Sequence, residues 1–165
     1  MIIPVSNEIE INSSAEKLWN LISSPAHLNL FHPFCKENKV INWNKNQKKD
    51  ILIYLNDLKY IREFYEWNEN YGYSLFIGKN NGEKSKVEWK IFFRNKKVFL
   101  KIKVYPYIFS NKNKLIYLFY YFFFIKPMLK KYLNSVLKGI NWYLKHKKPI
   151  PENKFGKHSW FSNIS

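Results

Sequence analysis

The feature that most constrains this chain is an apolar stripe near its C-terminus. Met128, Leu129, Tyr132, Leu133, Val136, Leu137, Ile140, Tyr143 and Leu144 recur at three- and four-residue spacings. Lys130, Lys131, Asn134, Lys138, Asn141 and Lys145 fall between them, which is the pattern of a long amphipathic helix. Lys145–Lys148 suit its negative end, and Pro149 and Pro151 stop it. A helix with one continuous apolar face must bury that face against another element. The rest of the chain has to supply the partner.

Most of the preceding sequence reads as strands. Val5–Ile11 alternates, with Val5, Asn7, Ile9 and Ile11 on one face. Two short helices follow. The first is prepared by Asn12-Ser13-Ser14, with Ser13 and Glu16 at capping-box spacing, and buries Leu18, Trp19, Leu21 and Ile22. The second spans Pro25–Phe31 and ends before Pro33. Lys39–Asn44, Asp50–Asn56, Lys59–Asn68, Tyr73–Gly78, Lys84–Phe93 and Val98–Val104 then read as strands separated by polar turns. In the last two, Val87, Trp89, Ile91 and Phe93, and Val98, Leu100, Ile102 and Val104, alternate with lysines and glutamate. Such one-sided burial marks an antiparallel sheet with one wet face. The expected class is α+β: about seven antiparallel strands curved around the C-terminal helix, in a single domain over 1–165 with 147–165 as a tail.

This order resembles the START-like, helix-grip superfamily (SRPBCC), which includes polyketide cyclases, pollen-allergen-type proteins and coenzyme Q-binding proteins. The stretch VSNEIEINSSAEKLWNLISSPAHLNLFHPF looks like that family's first strand and two short helices. Lys86-Val87-Glu88-Trp89 followed by the Val98–Pro106 strand looks like its late hairpin. The resemblance runs over residues 4–147 and carries no catalytic signature. It implies an apolar cavity between sheet and helix. It leaves the tail Phe155-Gly156-Lys157-His158-Ser159-Trp160-Phe161 without a role.

Composition narrows the function classes. The net charge is +16, but 26 Lys stand against only 2 Arg, and Asn, Lys, Ile, Phe and Tyr supply 90 of 165 residues. These are amino acids with AT-rich codons, so part of the basicity reflects nucleotide composition. With Arg62 and Arg94 the only guanidinium groups, base and phosphate forks are scarce, and nucleic acid is not the expected partner. One cysteine, Cys35, excludes a disulfide framework. The N-terminus lacks a secretory leader, and the longest apolar run, Leu115–Ile125, is too short to span a bilayer. The expected location is the cytoplasm, with peripheral membrane contact as an option.

Candidate sites are few. His27, His32, Cys35 and Glu37 crowd one segment but match no zinc spacing, so no metal is expected. Cys35 has only His32 nearby as a base, and neither G-x-S-x-G nor a phosphate-binding glycine loop occurs. No catalytic residue and no cofactor are assigned. Strand 59–68 mixes apolar and charged groups on both faces, so periodicity alone leaves Arg62 either aimed inward, to anchor an anionic head group, or paired with a Glu on the surface. The expected ligand contacts are Arg62, Trp89, Ile91, Leu100, Ile102, Leu133, Val136 and Leu137. The leading expectation is a carrier or sensor of a hydrophobic, lipid- or polyketide-like molecule. The alternatives are a cyclase or dehydratase working by general acid–base catalysis, and a basic membrane- or nucleic-acid-surface binder. Leu115–Ile125, flanked by Lys112, Lys114, Lys126, Lys130 and Lys131, reads either as an interfacial lid over the cavity or as core packing.

Overall fold

Seven strands form one antiparallel sheet in the order β1-β7-β6-β5-β4-β3-β2. They are β1 Val5–Glu10, β2 Cys35–Trp43, β3 Lys48–Tyr54, β4 Lys59–Asn68, β5 Gly72–Gly78, β6 Lys84–Arg94 and β7 Lys97–Tyr105. The structure, a computed structural model, describes residues 3–107 and 114–163. Between β1 and β2 lie α1 (Ala15–Ile22) and α2 (Leu28–Phe31). Of the three cap candidates Asn12, Ser13 and Ser14, it is Ser14 that accepts the Lys17 N–H at 3.2 Å and opens α1.

After β7 comes one continuous helical run: α3 (Lys114–Tyr120), a π-helical turn (Tyr121–Ile125) and α4 (Lys126–His146). Pro127 falls in the first turn of α4, where a proline is tolerated. Its missing N–H comes immediately after the π turn, where the hydrogen-bond pattern is already shifted to i−5. The π turn also has a packing logic. Tyr121, Ile125, Leu129 and Leu133 repeat every fourth residue, and in a 3.6-residue helix such a repeat drifts by about 40° per step. One wider turn takes up part of that drift and keeps the four on one side.

The concave face of the sheet holds α4. Leu133, Val136, Leu137 and Ile140 are buried there, together with Ile91, Leu100 and Ile102 from the late hairpin. Asn7 Nδ2 donates to Lys130 O at 2.9 Å, and Asn141 Nδ2 to Glu10 O at 2.8 Å, fastening α4 along β1. Gly139 lets α4 touch the α2 backbone, since a Cβ there would stand 2.0 Å from Phe31 O. The tail folds back as well: Ile150 N–H donates to Leu30 O and Asn153 N–H to Pro33 O.

A β-bulge resolves the ambiguity of strand 59–68. Phe64 pairs with Leu75, but Glu66 pairs with Ser74, so Tyr65 is the extra residue. Tyr60, Arg62 and Phe64 face inward before the bulge. Trp67, and not Glu66, packs inward after it, stacked on Tyr73 at 5.2 Å and edge-on to Trp19 at 5.3 Å. A strict two-residue period could not be assigned because the strand does not keep one.

Candidate functional site

Between sheet and helix lies a cavity of about 580 Å³, within the range of small-molecule pockets. Leu52, Leu75, Val87, Trp89, Ile102 and Val104 form its sheet wall, and Ile125, Leu129, Leu133 and Val136 its helix wall. Its lining reaches the surface at Lys79, Gly82, Glu83 and Tyr107, between the β5–β6 turn and the end of β7. Trp160 and Phe161 close another part of it. Phe161 stacks on Tyr54 at 4.2 Å, and His158 Nε2 bonds Met128 O at 3.0 Å, so the unassigned tail is part of the cavity wall.

Of the expected contacts, Arg62, Trp89, Ile102, Leu133 and Val136 line the cavity. Ile91, Leu100 and Leu137 are buried outside the lining. The register gives the reason for the hairpin pair: Trp89 opposes Ile102 and Val87 opposes Val104, whereas Ile91 opposes Leu100 one step nearer the β6–β7 turn. There the sheet face meets packed core. Apolar alternation alone does not distinguish the two levels.

A polar arc interrupts the apolar lining. Arg62 is 3% exposed, with Nε 3.1 Å from Asp50 Oδ1 and Nη2 3.1 Å from His27 Nε2. Burial raises the Asp50 pKa, opposed by the Arg62 charge and the Asn38 amide. The N–H of Nε is not aligned with the carboxylate, and both carboxylate oxygens lack an aligned donor. Nη1 has no hydrogen-bond partner among the described residues. The alternative of a surface pair with a Glu is overturned, because β3 places its one inward carboxylate directly across from Arg62.

The hydrogen bonds around each histidine fix its tautomer. His27 Nδ1–H donates to Ser24 O at 2.6 Å, leaving Nε2 as acceptor for Arg62. His32 Nδ1 accepts the Phe34 N–H at 3.3 Å, so Nε2–H donates to Tyr132 Oη at 2.7 Å. Tyr132 in turn lies 3.2 Å from Tyr54 Oη. Burial, reinforced by the Arg62 charge, holds His27 well below its usual pKa and His32 at about 3. Both are neutral at physiological pH, and burial likewise keeps Tyr54 and Tyr132 protonated. The arc is a set of fixed, neutral donors and acceptors plus one internally compensated ion pair.

The remaining candidates disperse. His27 and His32 are engaged as described, and no three metal-ligating side chains converge among the described residues. Cys35 points its thiol at Asn29 Oδ1, 3.7 Å away, and burial pushes its pKa up to about 12, which removes thiolate chemistry. Sequence reasoning assigned no place at the cavity to Asp50, Tyr54, Tyr60, Tyr132, Trp160 and Phe161, and weighed His32 only as a metal ligand or a base for Cys35. One signal was present: Asp50, Leu52 and Tyr54 alternate with Ile51 and Ile53, setting a lone carboxylate on an apolar face.

No family model and no curated protein sequence matches the chain. Solved structures do. TTHA0849 from Thermus thermophilus superposes with a TM-score of 0.69 at 12% identity, covering 88% of this chain and 99% of that one. A START superfamily protein from Mycobacterium smegmatis gives 0.66 at 13%, covering 88% and 99%. DynU16, from the dynemicin biosynthetic locus, gives 0.65 at 11%; this chain spans 48% of its length. With the strand order, the gripped helix and the cavity between sheet and helix, these likenesses show that the chain has the START-like, SRPBCC-type helix-grip fold.

Proposed function

We propose that the protein binds a hydrophobic small molecule that carries a neutral polar group at one end. The observation that supports this is a cavity of about 580 Å³ whose wall, away from the surface opening at Lys79, Glu83 and Ser85, is apolar except for the arc of Arg62, Tyr54, Tyr60, Tyr132 and His32. The arc favours an uncharged head, such as a hydroxyl, phenol or carbonyl, over the anionic one expected from Arg62 alone. Asp50 already balances the guanidinium, so a carboxylate ligand would bring an uncompensated charge into a low-dielectric space. Arg62 Nη1 and the Tyr132 hydroxyl can serve a neutral acceptor without any change of charge.

The buried arginine on an open cavity is the feature that favours the acid–base enzyme reading. Against that reading, Arg62 is paired, and His32 at about 3 does not titrate near neutrality. Binding without chemistry is therefore the better account. Native mass spectrometry on protein purified from its own host should detect a co-purifying hydrophobic molecule. In vitro, the neutral dye N-phenyl-1-naphthylamine should enter the wild type and be displaced better by a long-chain alcohol than by the matching acid. Val136→Trp, which fills the cavity, should abolish uptake. Uptake equal in that variant, or none in the wild type, would overturn the proposal.

A further inference from the structure

The helix that carries the cavity wall also carries an apolar surface facing away from it. Leu115, Ile116, Phe119, Tyr120, Phe122, Phe123 and Phe124 are 45–76% exposed. At 3.6 residues per turn they cover an arc of roughly 200°, and the opposite side holds buried Tyr121 and half-buried Leu118 and Ile125. Tyr121 anchors that inner side by donating from its hydroxyl to Ile3 O at 2.8 Å. The outer rings stack on one another, Phe119 on Phe123 at 4.6 Å and Tyr120 on Phe124 at 5.2 Å. A chain of this size does not leave so large a contiguous apolar surface wet without a partner for it.

Charge identifies the partner. Between Glu88 and Glu152 there are 63 positions without one Asp or Glu and with fifteen Lys or Arg. Codons for Asp and Glu are not GC-rich, so nucleotide composition does not account for that gap. Lys126 sits 5.1 Å over the Phe122 ring, while Lys130 and Lys131 are exposed on the next turn. None of the three has a carboxylate partner among the described residues. Lys112 and the side chain of Lys114, counted with this flank in the sequence, lie outside the described residues. Aromatic side chains on an outward face with cations beside them suit the interface of a bilayer, where rings sit at headgroup depth and lysines meet anionic lipid.

We propose that the outward arc of Leu115–Phe124 docks on an anionic membrane surface, with Lys126, Lys130 and Lys131 set against the lipid headgroups. The inner side of the same element, through Ile125, forms part of the cavity wall. The docked face and the cavity are thus two sides of one helix. The docking does not depend on what the cavity holds, so failure of the ligand reading leaves it standing.

Co-sedimentation of the full chain with vesicles tests it, comparing phosphatidylcholine alone with phosphatidylcholine containing 30 mol% phosphatidylserine. Each lysine near an anionic surface contributes about fivefold in affinity, so the wild type should prefer the anionic vesicles by at least tenfold. Raising the salt should reduce the preference, because the attraction is screened over roughly 8 Å at physiological ionic strength. Phe119→Ser/Phe123→Ser should lose at least tenfold in binding with unchanged dye uptake and thermal midpoint. Lys130→Gln/Lys131→Gln should lose a similar factor on anionic vesicles only, and it reports independently of the aromatic variant's folding. Equal binding to both vesicles, or undiminished binding by the aromatic variant, overturns the proposal. So does a lipid-free dimer, seen by analytical ultracentrifugation, that Phe119→Ser/Phe123→Ser returns to monomer while no protein binds vesicles; a second copy would then cover the arc.

Discussion

Leu133 and Phe123 sit ten residues apart on one uninterrupted helix, the first 1% exposed and the second 65%. From Leu129 to Ile140 the helix turns an apolar face into the sheet and presents Lys130, Lys131, Asn134 and Lys138 to water. From Leu115 to Phe124 the arrangement is inverted: among the described side chains most rings lie outside, and Tyr121 is the one that is fully buried. Both halves are rich in apolar residues. What separates them is the sheet, which lies under α4 and gives α3 little cover. Hydrophobic composition thus states a demand for burial, and the strand layout decides where the demand is met within the chain.

Acid should probe the fastened half hardest. His27 and His32 bind fewer protons folded than unfolded below pH 6.5, so each loses stability as the pH falls from there towards its folded pKa, about 3 for His32. For two such groups the loss from pH 7.5 to 5 is about 4 kcal/mol. Asp50 acts oppositely, because its raised pKa lets the folded state take up a proton first. The net fall is therefore expected at about 2–4 kcal/mol, measured by urea unfolding at both pH values. No loss would mean that the histidines are not held neutral.

Leu133→Ala should cost about 3 kcal/mol by opening the helix wall of the cavity, read from the shift in urea midpoint. Gly139→Ala should cost about 2–3 kcal/mol, since its Cβ must push the α2 backbone away; a neutral result would deny the close approach of α4 and α2. Tyr132→Phe should cost about 1–2 kcal/mol, because the buried His32 Nε2–H loses its acceptor. At the other half, Phe123→Ser should change stability by no more than about 0.5 kcal/mol. A cost comparable to that of Leu133→Ala would show that the outer arc is packed core, and the contrast between the halves would disappear.

Much of the architecture could be read directly. The order of elements, the one-sided late hairpin and the amphipathic α4 follow from periods of two and of three to four, which are local properties of the chain. Legibility ended where the periods broke or became degenerate. The bulge at Tyr65 disguised the inward face of β4. Apolar positions at two levels of one hairpin looked alike, so Ile91 and Leu100 were indistinguishable from Trp89 and Ile102. The polar arc needed four separate segments to meet, from the two ends of α2, from β3, from β4 and from α4, and no local pattern reports such a meeting.

The sequence by itself determined that this chain makes an antiparallel sheet and a helix that must be gripped, because side-chain alternation dictates which face needs cover. It also determined the basic, nearly arginine-free surface. Only the tertiary structure decided that Arg62 would be engaged by Asp50 and His27, and that the tail would seal the cavity with Phe161. It decided, too, that the aromatic run would point outward. Those outcomes depend on which groups are brought within a few ångströms of one another, and a partner's distance in space is not encoded in its distance along the chain.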